Sequence, residues 1–310
     1  MINWKENQNN NDSNQMKINI LFFLLLFSVN VFAQKIYLDK IAKPSKRTFT
    51  YQRIKKEKNL KLDFYKPKKI KGKKPLIIYV HGGGFSGGKR NDKYAVDFSK
   101  EMATYGYAVA SISYRLTMKG IGFGCNTNAN LKINAFNNVS KDISYAIRYI
   151  LKRNRKFKID TSKIILVGSS AGAEAVLNLA YVYENTILDT NFKFAGVIAM
   201  AGAIITNDKI THEKAIPTQL FHGLNDNLVP YHIAPHHYCK KENAGYLKLY
   251  GSRAIADQLK SIGKSYYLYS VKNGDHSWNS RPIYQCKNEI LDFLYFDVLQ
   301  KSERQTEVEI

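Results

Sequence analysis

The stretch Gly168-Ser169-Ser170-Ala171-Gly172 sets a serine between small residues, directly behind the apolar run Ile164-Ile165-Leu166-Val167 and ahead of a helical pattern. A strand that turns this sharply into a helix forces its central residue into a strained conformation, and only small residues two before and two after it avoid collision. Such a turn presents the Ser170 hydroxyl above the sheet as a nucleophile. The free N–H groups at the start of the following helix then face any negative charge that develops there. Ordinary strand-to-helix turns use small residues too, so the chemistry depends on what else the chain supplies.

A second group, His81-Gly82-Gly83-Gly84-Phe85, follows the apolar run 76–80. Glycines reach backbone geometries closed to other residues, so their N–H groups can turn inward toward a substrate oxygen. The amides of Gly83 and Gly84, with that of Ala171, are predicted to form an oxyanion hole. The competing readings are a flexible glycine loop or a phosphate cradle, but the spacing fits neither nucleotide fingerprint. His81 is expected to brace this loop rather than react.

These residues need a scaffold. Alternating patterns at 49–56 and 60–65 predict two antiparallel edge strands. Short apolar runs then recur at 76–80, 108–112, 164–167, 197–200, 219–221 and 266–271, as expected for fully buried strands. Helical patterns at 94–105, 137–152, 171–183, 252–262 and 283–299 alternate with them. The predicted fold class is therefore α/β, a mostly parallel sheet with helices on both faces. Two irregular stretches, 116–135 and 226–250, fall beyond strand ends, where open α/β sheets bind ligands. The first, carrying Gly120, Gly122 and Gly124, reads as a short lid or acyl-pocket wall over the pocket, or as a plain surface loop.

The HGGGF loop followed by the GSSAG elbow resembles the esterase and lipase branch of the α/β-hydrolases, close to secreted bacterial carbohydrate-ester-type esterases, over residues 47–300. Tyr114-Arg115-Leu116 and Asp160 are similar to that group's pattern as well. The resemblance implies the α/β-hydrolase fold and ester hydrolysis through an acyl-enzyme without cofactor, and no pair or cluster of residues has the spacing of a zinc site. It also implies that the serine's partners follow it in the order acid, then histidine. His222-Gly223-Leu224-Asn225-Asp226 is similar to the family's acid loop and points to Asp226, and Asn273-Gly274-Asp275-His276 places His276 on a loop before the last helix. The imidazole would take the serine's proton, and the carboxylate would fix its tautomer.

Other residues compete for these roles. Asp275 adjoins His276, but adjacent side chains on one loop rarely point at each other, and Asp208 has no motif behind it. His222 is expected to be structural. His232, His236 and His237 sit in a polar loop, and the last two lack the i, i+4 spacing of paired metal ligands. Glu174 either braces the helix start or touches substrate. Trp278 either stacks on a sugar or an aromatic acyl group or packs in the core.

The 310 residues, 45% hydrophobic and 23% charged, exclude a disordered chain and a multi-span membrane protein. The net charge of +22 draws a protein toward anionic surfaces. Lys66, Lys68, Lys69, Lys71, Lys73 and Lys74 crowd one loop, yet no nucleic-acid-reading motif accompanies them, and a solvated basic face is expected instead. Lys17 precedes the apolar run 20–27, with small residues at 31 and 33, which reads as a signal peptide over 1–33 cleaved after Ala33. Met16 is an alternative start. The run is shorter than the ~20 residues of a spanning helix, so residues 34–310 are expected as one catalytic domain, secreted or periplasmic, with no lasting membrane span.

Export permits a disulfide among Cys125, Cys239 and Cys286. Connectivity is open, with Cys125 and Cys239 favoured because both lie in polar segments. The expected substrate is a small-molecule or carbohydrate-linked ester. A peptidase of the prolyl-oligopeptidase type shares the order of catalytic groups, but nothing before residue 47 could build its usual propeller. A non-catalytic binding protein on the same fold is the other rival.

Overall fold

The computed structural model describes residues 36–55, 58–68 and 70–310. The expected signal peptide at 1–33, its cleavage after Ala33, and Lys69 lie outside the described residues.

Twelve strands are formed among the described residues: β1 (Pro44–Gln52), β2 (Leu60–Pro67), β3 (Lys74–Val80), β4 (Ala108–Ile112), β5 (Ile159–Ser169), β6 (Gly196–Met200), β7 (Ala203–Ile204), β8 (Thr218–Gly223), β9 (Ile233–Pro235), β10 (Lys248–Gly251), β11 (Tyr266–Val271) and β12 (Gln305–Glu309). Nine build the main sheet in the order β1-β2-β4-β3-β5-β6-β8-β11-β12, and β7-β10-β9 form a small second sheet. The first two strands pair antiparallel and every pair from β4 through β12 is parallel. The fold is α/β, a mostly parallel sheet with helices on both faces.

Both faces of the central strands are dry because their side chains alternate between two cores. Leu76, Ile78 and Val80 of β3 join one apolar cluster, while Ile77 and Tyr79 join the other. Strand β5 divides in the same way, Ile164 and Leu166 against Ile165 and Val167. Each fully buried aliphatic side chain contributes about 1.5–3 kcal/mol, so the strands carrying the site are held from both sides.

Helix α1 (Lys93–Thr104) starts at Asp92, whose side chain accepts from the Ala95 amide at 2.8 Å. Helix α2 spans Ala129–Leu151 with Asn128 as its cap, eight residues earlier than the pattern suggested, so the irregular stretch expected to end at 135 is shorter. Helix α3 (Ala171–Leu177) follows β5 directly, and α4 (Ser252–Ser261) precedes β11. Strand β12 was not legible in the sequence, because its residues Gln305, Thr306, Glu307, Val308 and Glu309 form a largely polar edge rather than an apolar run.

Parallel order puts the carboxyl ends of β3 and β5 side by side, with Val80 paired to Gly168. The glycine loop and the serine turn thereby meet. At the amino ends of the same strands, Arg47, Lys66, Lys68, Lys71, Lys74, Lys156 and Lys158 line a groove of about 630 Å³, one strand length away from the site. Among the described residues, no helix is long and apolar enough to cross a membrane.

Candidate active site

Ser170 stands between β5 and α3 with φ 51° and ψ −122°, a conformation costing a non-glycine residue about 1–3 kcal/mol. The strain is held by the surroundings. Its N–H donates to the Met200 carbonyl at 2.8 Å, and its carbonyl accepts from the Glu174 amide at 3.0 Å. A Cβ at Gly168 would collide with the Gly172 carbonyl, and one at Gly172 with the Val80 carbonyl, so glycine is required at both.

The Ser170 hydroxyl lies 2.8 Å from His276 Nε2, and His276 Nδ1 lies 2.7 Å from Asp226 Oδ2. A carboxylate only accepts, so the Nδ1 proton points to Asp226 and Nε2 is left to accept from Ser170. The three side chains expected from the sequence are thus joined in one hydrogen-bonded chain. Two tertiary contacts make the meeting possible. Leu224 N–H donates to Val271 O at 2.9 Å and Asn225 N–H to Gly274 O at 2.8 Å, tying the turn after β8 to the loop after β11.

Asp226 is buried. Burial pushes its carboxyl up, but the hydrogen bonds from His222 and His276 and the electrostatic pull of those rings outweigh it, holding the group well below the usual carboxylate range. Its Oδ1 also accepts from the amides of Leu228 and Val229, both at 2.9 Å. His222, expected to be structural, does more than pack: its Nε2 lies 3.1 Å from the Val229 carbonyl and 3.4 Å from Asp226 Oδ2, while Nδ1 meets the Ser252 hydroxyl at 2.7 Å.

The competing acids face elsewhere. Asp275 accepts from the Ser277 amide at 3.0 Å and caps the short helical turn that carries His276. Asp208 accepts from the Thr206 hydroxyl at 3.1 Å.

Gly83, Gly84, Ala171, Ser170 and His276 line one cavity of about 450 Å³. Gly83 has φ 114°, and its carbonyl accepts from the amides of Ser86 at 3.1 Å and Gly87 at 2.9 Å, which closes the glycine loop on itself. His81 braces the loop as expected. It lies 2.7 Å from the Gly82 carbonyl through Nδ1, stacks on Tyr114 at 4.3 Å, and accepts the Tyr114 hydroxyl on its carbonyl at 2.9 Å. Ala171 begins α3, so its amide has no partner within the helix. The arrangement can move a proton from a serine to an imidazole beside backbone donors.

Several cavity residues were not assigned from sequence. Glu174, buried one turn along α3 from Ser170, lines the cavity, as do His236 and His237. The four-residue spacing from Ser170 carried a signal for Glu174. No motif pointed to His236, ten residues beyond Asp226. Of the irregular stretch 116–135, Phe123 reaches the cavity, its ring edge-on to His236 at 5.1 Å. A Cys125–Cys239 disulfide ties that stretch to the turn carrying both histidines, and Cys286 is buried and free. Trp278 is buried in the core, stacked on Tyr269 at 5.9 Å, so it packs and does not line the cavity. Among the described residues, no group of three or more His, Cys, Asp or Glu side chains is placed to hold a metal ion.

Residues 62–202 match the family described as BD-FAE. Gut esterase 1 of Caenorhabditis briggsae is 27% identical over 164 residues, covering 51% of this chain and 28% of that protein. Endo-1,4-beta-xylanase B of Butyrivibrio fibrisolvens is 25% identical over 165 residues, covering 51% and 24%. The matched stretch is thus about a quarter of the length of these curated relatives. The thermophilic esterase Est2 of Thermogutta terrifontis, solved with propionate bound, superposes with a TM-score of 0.59 at 19% identity, covering 81% of this chain and 94% of that one, a likeness of fold. In its elbow geometry, its matched stretch and these relatives together, the chain is similar to the serine esterases and lipases of the α/β-hydrolase type.

Proposed function

We propose that this protein is a carboxylesterase that works through an acyl-enzyme on Ser170. The observation that carries the reading is the continuous hydrogen-bonded chain from Asp226 through His276 to the Ser170 hydroxyl, opening on a glycine-lined cavity. Ser170 Oγ attacks the ester carbonyl carbon as its proton passes to His276 Nε2, and the carbonyl oxygen becomes an oxyanion facing the amides of Gly83, Gly84 and Ala171. Collapse breaks the bond to the alcohol oxygen, which takes the proton from His276. Water, deprotonated by the same imidazole, then attacks the acyl-serine carbonyl, and collapse breaks the bond to Ser170 Oγ, which takes the proton back from His276 as the acid leaves. Asp226 keeps the ring oriented and stabilises it while positive.

The alcohol portion of the substrate is carbohydrate in this reading. The name of the xylanase relative supports that choice. Lys17, the apolar run 20–27 and the small residues at 31 and 33 support export after cleavage at Ala33, leaving residues 34–310 as the catalytic domain. The test is Ser170→Ala assayed on p-nitrophenyl acetate. A loss of about 10⁴-fold or more in kcat is expected, and retained activity would refute the assignment.

A further inference from the structure

The groove at the amino ends of β3 and β5 continues along the edge strand β1. Its wall residues Arg47 and Phe49 are followed in the chain by Thr50, Tyr51 and Gln52, which line a second groove of about 680 Å³ with Arg53, Arg148, Lys152 and Arg153. Phe157 links the two, its ring 5.2 Å from Phe49 of the first and 6.2 Å from Tyr149 of the second. From Ser45 to Arg53 this track runs for roughly 25 Å at the rise of an extended strand.

Eleven lysine and arginine side chains line the two grooves, and no aspartate or glutamate does. None of the eleven forms an ion pair among the described residues. Cations elsewhere on the surface are matched, as in Lys40–Glu101, Lys93–Asp97, Arg253–Glu307 and Arg304–Asp297. Like charges left facing one another build a strong positive field in a concave site and raise the energy of the fold. Lys74 carries this furthest. It is 2% exposed on the groove wall, its ammonium donates to the Gly72 carbonyl at 2.6 Å, and its charged neighbours are Lys66 and Lys158 rather than a carboxylate. Burial and those two charges hold the ammonium below the usual lysine value. An anion seated in the groove relieves that repulsion.

The lining selects the kind of anion. Arg148 lies over the Tyr145 ring at 4.8 Å and Arg153 over the Tyr149 ring at 4.1 Å, which holds two guanidinium planes in place for carboxylates to meet. Lys156 lies over Phe49 at 4.6 Å, and Phe64 and Phe157 are buried. The rings are therefore already engaged by the protein's own cations and core, whereas nucleic-acid strands need open aromatic faces on which to stack bases. Two grooves set end to end receive a chain, whereas a bilayer presents a plane. Each lysine offers three donors for one charge, so the track suits a ligand that brings hydroxyl acceptors along with its carboxylates.

We infer that the two grooves form one binding track for a linear, carboxylate-bearing polysaccharide, separate from the serine cavity. The track opens at the amino ends of the strands, and Ser170 stands beyond the carboxyl end of β5, so a chain held on the track leaves the cavity open. Binding there is independent of the ester chemistry.

The deciding experiment compares polygalacturonate, neutral arabinoxylan, polydeoxyadenylate and phosphatidylglycerol-containing vesicles as ligands of the full chain in about 50 mM salt. Polygalacturonate is expected to bind about 10-fold or more tightly than the other three, and to be released at about 0.5 M salt. Lys68→Ser combined with Lys152→Ser and Lys156→Ser, all exposed in the grooves, weakens its binding by about 10-fold and leaves turnover of p-nitrophenyl acetate unchanged. Lys209→Ser combined with Lys241→Ser and Lys301→Ser removes the same charge from exposed positions outside both grooves and weakens binding by less than about 3-fold. Equal weakening by the two triple variants means a diffuse field of net charge and overturns the track. Absence of polygalacturonate binding, arabinoxylan bound as tightly, or tighter binding of polydeoxyadenylate or the vesicles overturns it as well. If the groove variant folds poorly, lysine acetylation of the unsubstituted protein decides. Polygalacturonate then shields Lys68, Lys71 and Lys156 and leaves Lys209, Lys241 and Lys301 reactive, and uniform labelling overturns the track. Ser170→Ala binds polygalacturonate as the unsubstituted protein does, so a failure of the ester reading leaves the track standing.

Discussion

One carboxylate oxygen of Asp226 serves two imidazoles: Oδ2 lies 2.7 Å from His276 Nδ1 and 3.4 Å from His222 Nε2. His222 also meets Ser252 and the Val229 carbonyl, so it fixes the acid turn while it faces the acid. The two partners should therefore respond differently to substitution. Asp226→Asn is expected to lower kcat by about 10⁴-fold with the fold intact, because the imidazole loses its tautomer control. His222→Leu leaves Asp226 bonded to His276 and strands the Ser252 hydroxyl and Val229 carbonyl, for about 1–3 kcal/mol lower stability and a smaller loss of kcat. Steady-state kinetics with thermal melts separate the two, and equal kcat losses would contradict this division.

Gly83→Ala should damage turnover more than binding. Its φ of 114° is closed to alanine without strain, and the added Cβ would strike the Gly87 carbonyl, which displaces the loop amides. The expected drop in kcat is about 10²–10³-fold with KM little changed. A KM effect alone would show that the loop only shapes the cavity.

Removing the Cys125–Cys239 bridge opens a loop with a sequence separation of 114 residues. Cys125→Ser with Cys239→Ser is expected to cost about 3–5 kcal/mol by denaturant melts. Because the bridge anchors the turn bearing His236 and the segment bearing Phe123, KM should rise even at temperatures where the fold survives. An unchanged KM would detach the bridge from the cavity.

Stability should fall as pH rises through neutrality because of Glu174. Its folded-state value, about 8, lies above the ordinary 4.5, so the folded protein binds a proton that the unfolded chain releases between those limits. The contribution is fully favourable below about 4.5 and is lost progressively up to about 8, with an upper bound of about 5 kcal/mol. Glu174→Gln carries no such proton, so its melting temperature should gain on that of the unsubstituted protein between pH 5 and pH 8.5. A constant difference across that range would mean that the carboxyl is not protonated in the fold.

Sequence reasoning carried the sheet and the serine turn because both obey local rules. Continuous apolar runs such as 76–80 mark strands buried on both faces, and β3 and β5 lie where those runs fall. Ser170 was legible because a turn this tight accepts only small neighbours, a requirement written within five consecutive residues. The edge strand β12 escaped the same logic, since a strand with one partner and a wet side has no need of an apolar run.

By itself, then, the sequence determined which residue types stand at which strand ends: a strained serine, a glycine loop, a carboxyl and an imidazole, each specified by a few neighbours along the chain. Only the tertiary structure decided what stands next to what. As text Asp275 competes with the favoured Asp226, and the hydrogen bonds Leu224 to Val271 and Asn225 to Gly274 bring the more distant acid to His276. Glu174 and His236 are 62 residues apart and meet through the parallel order of β5, β6 and β8 and the loop that follows. Burial, which sets the charge on both, is a property of the packed whole, because solvent is excluded by atoms drawn from every layer of the fold.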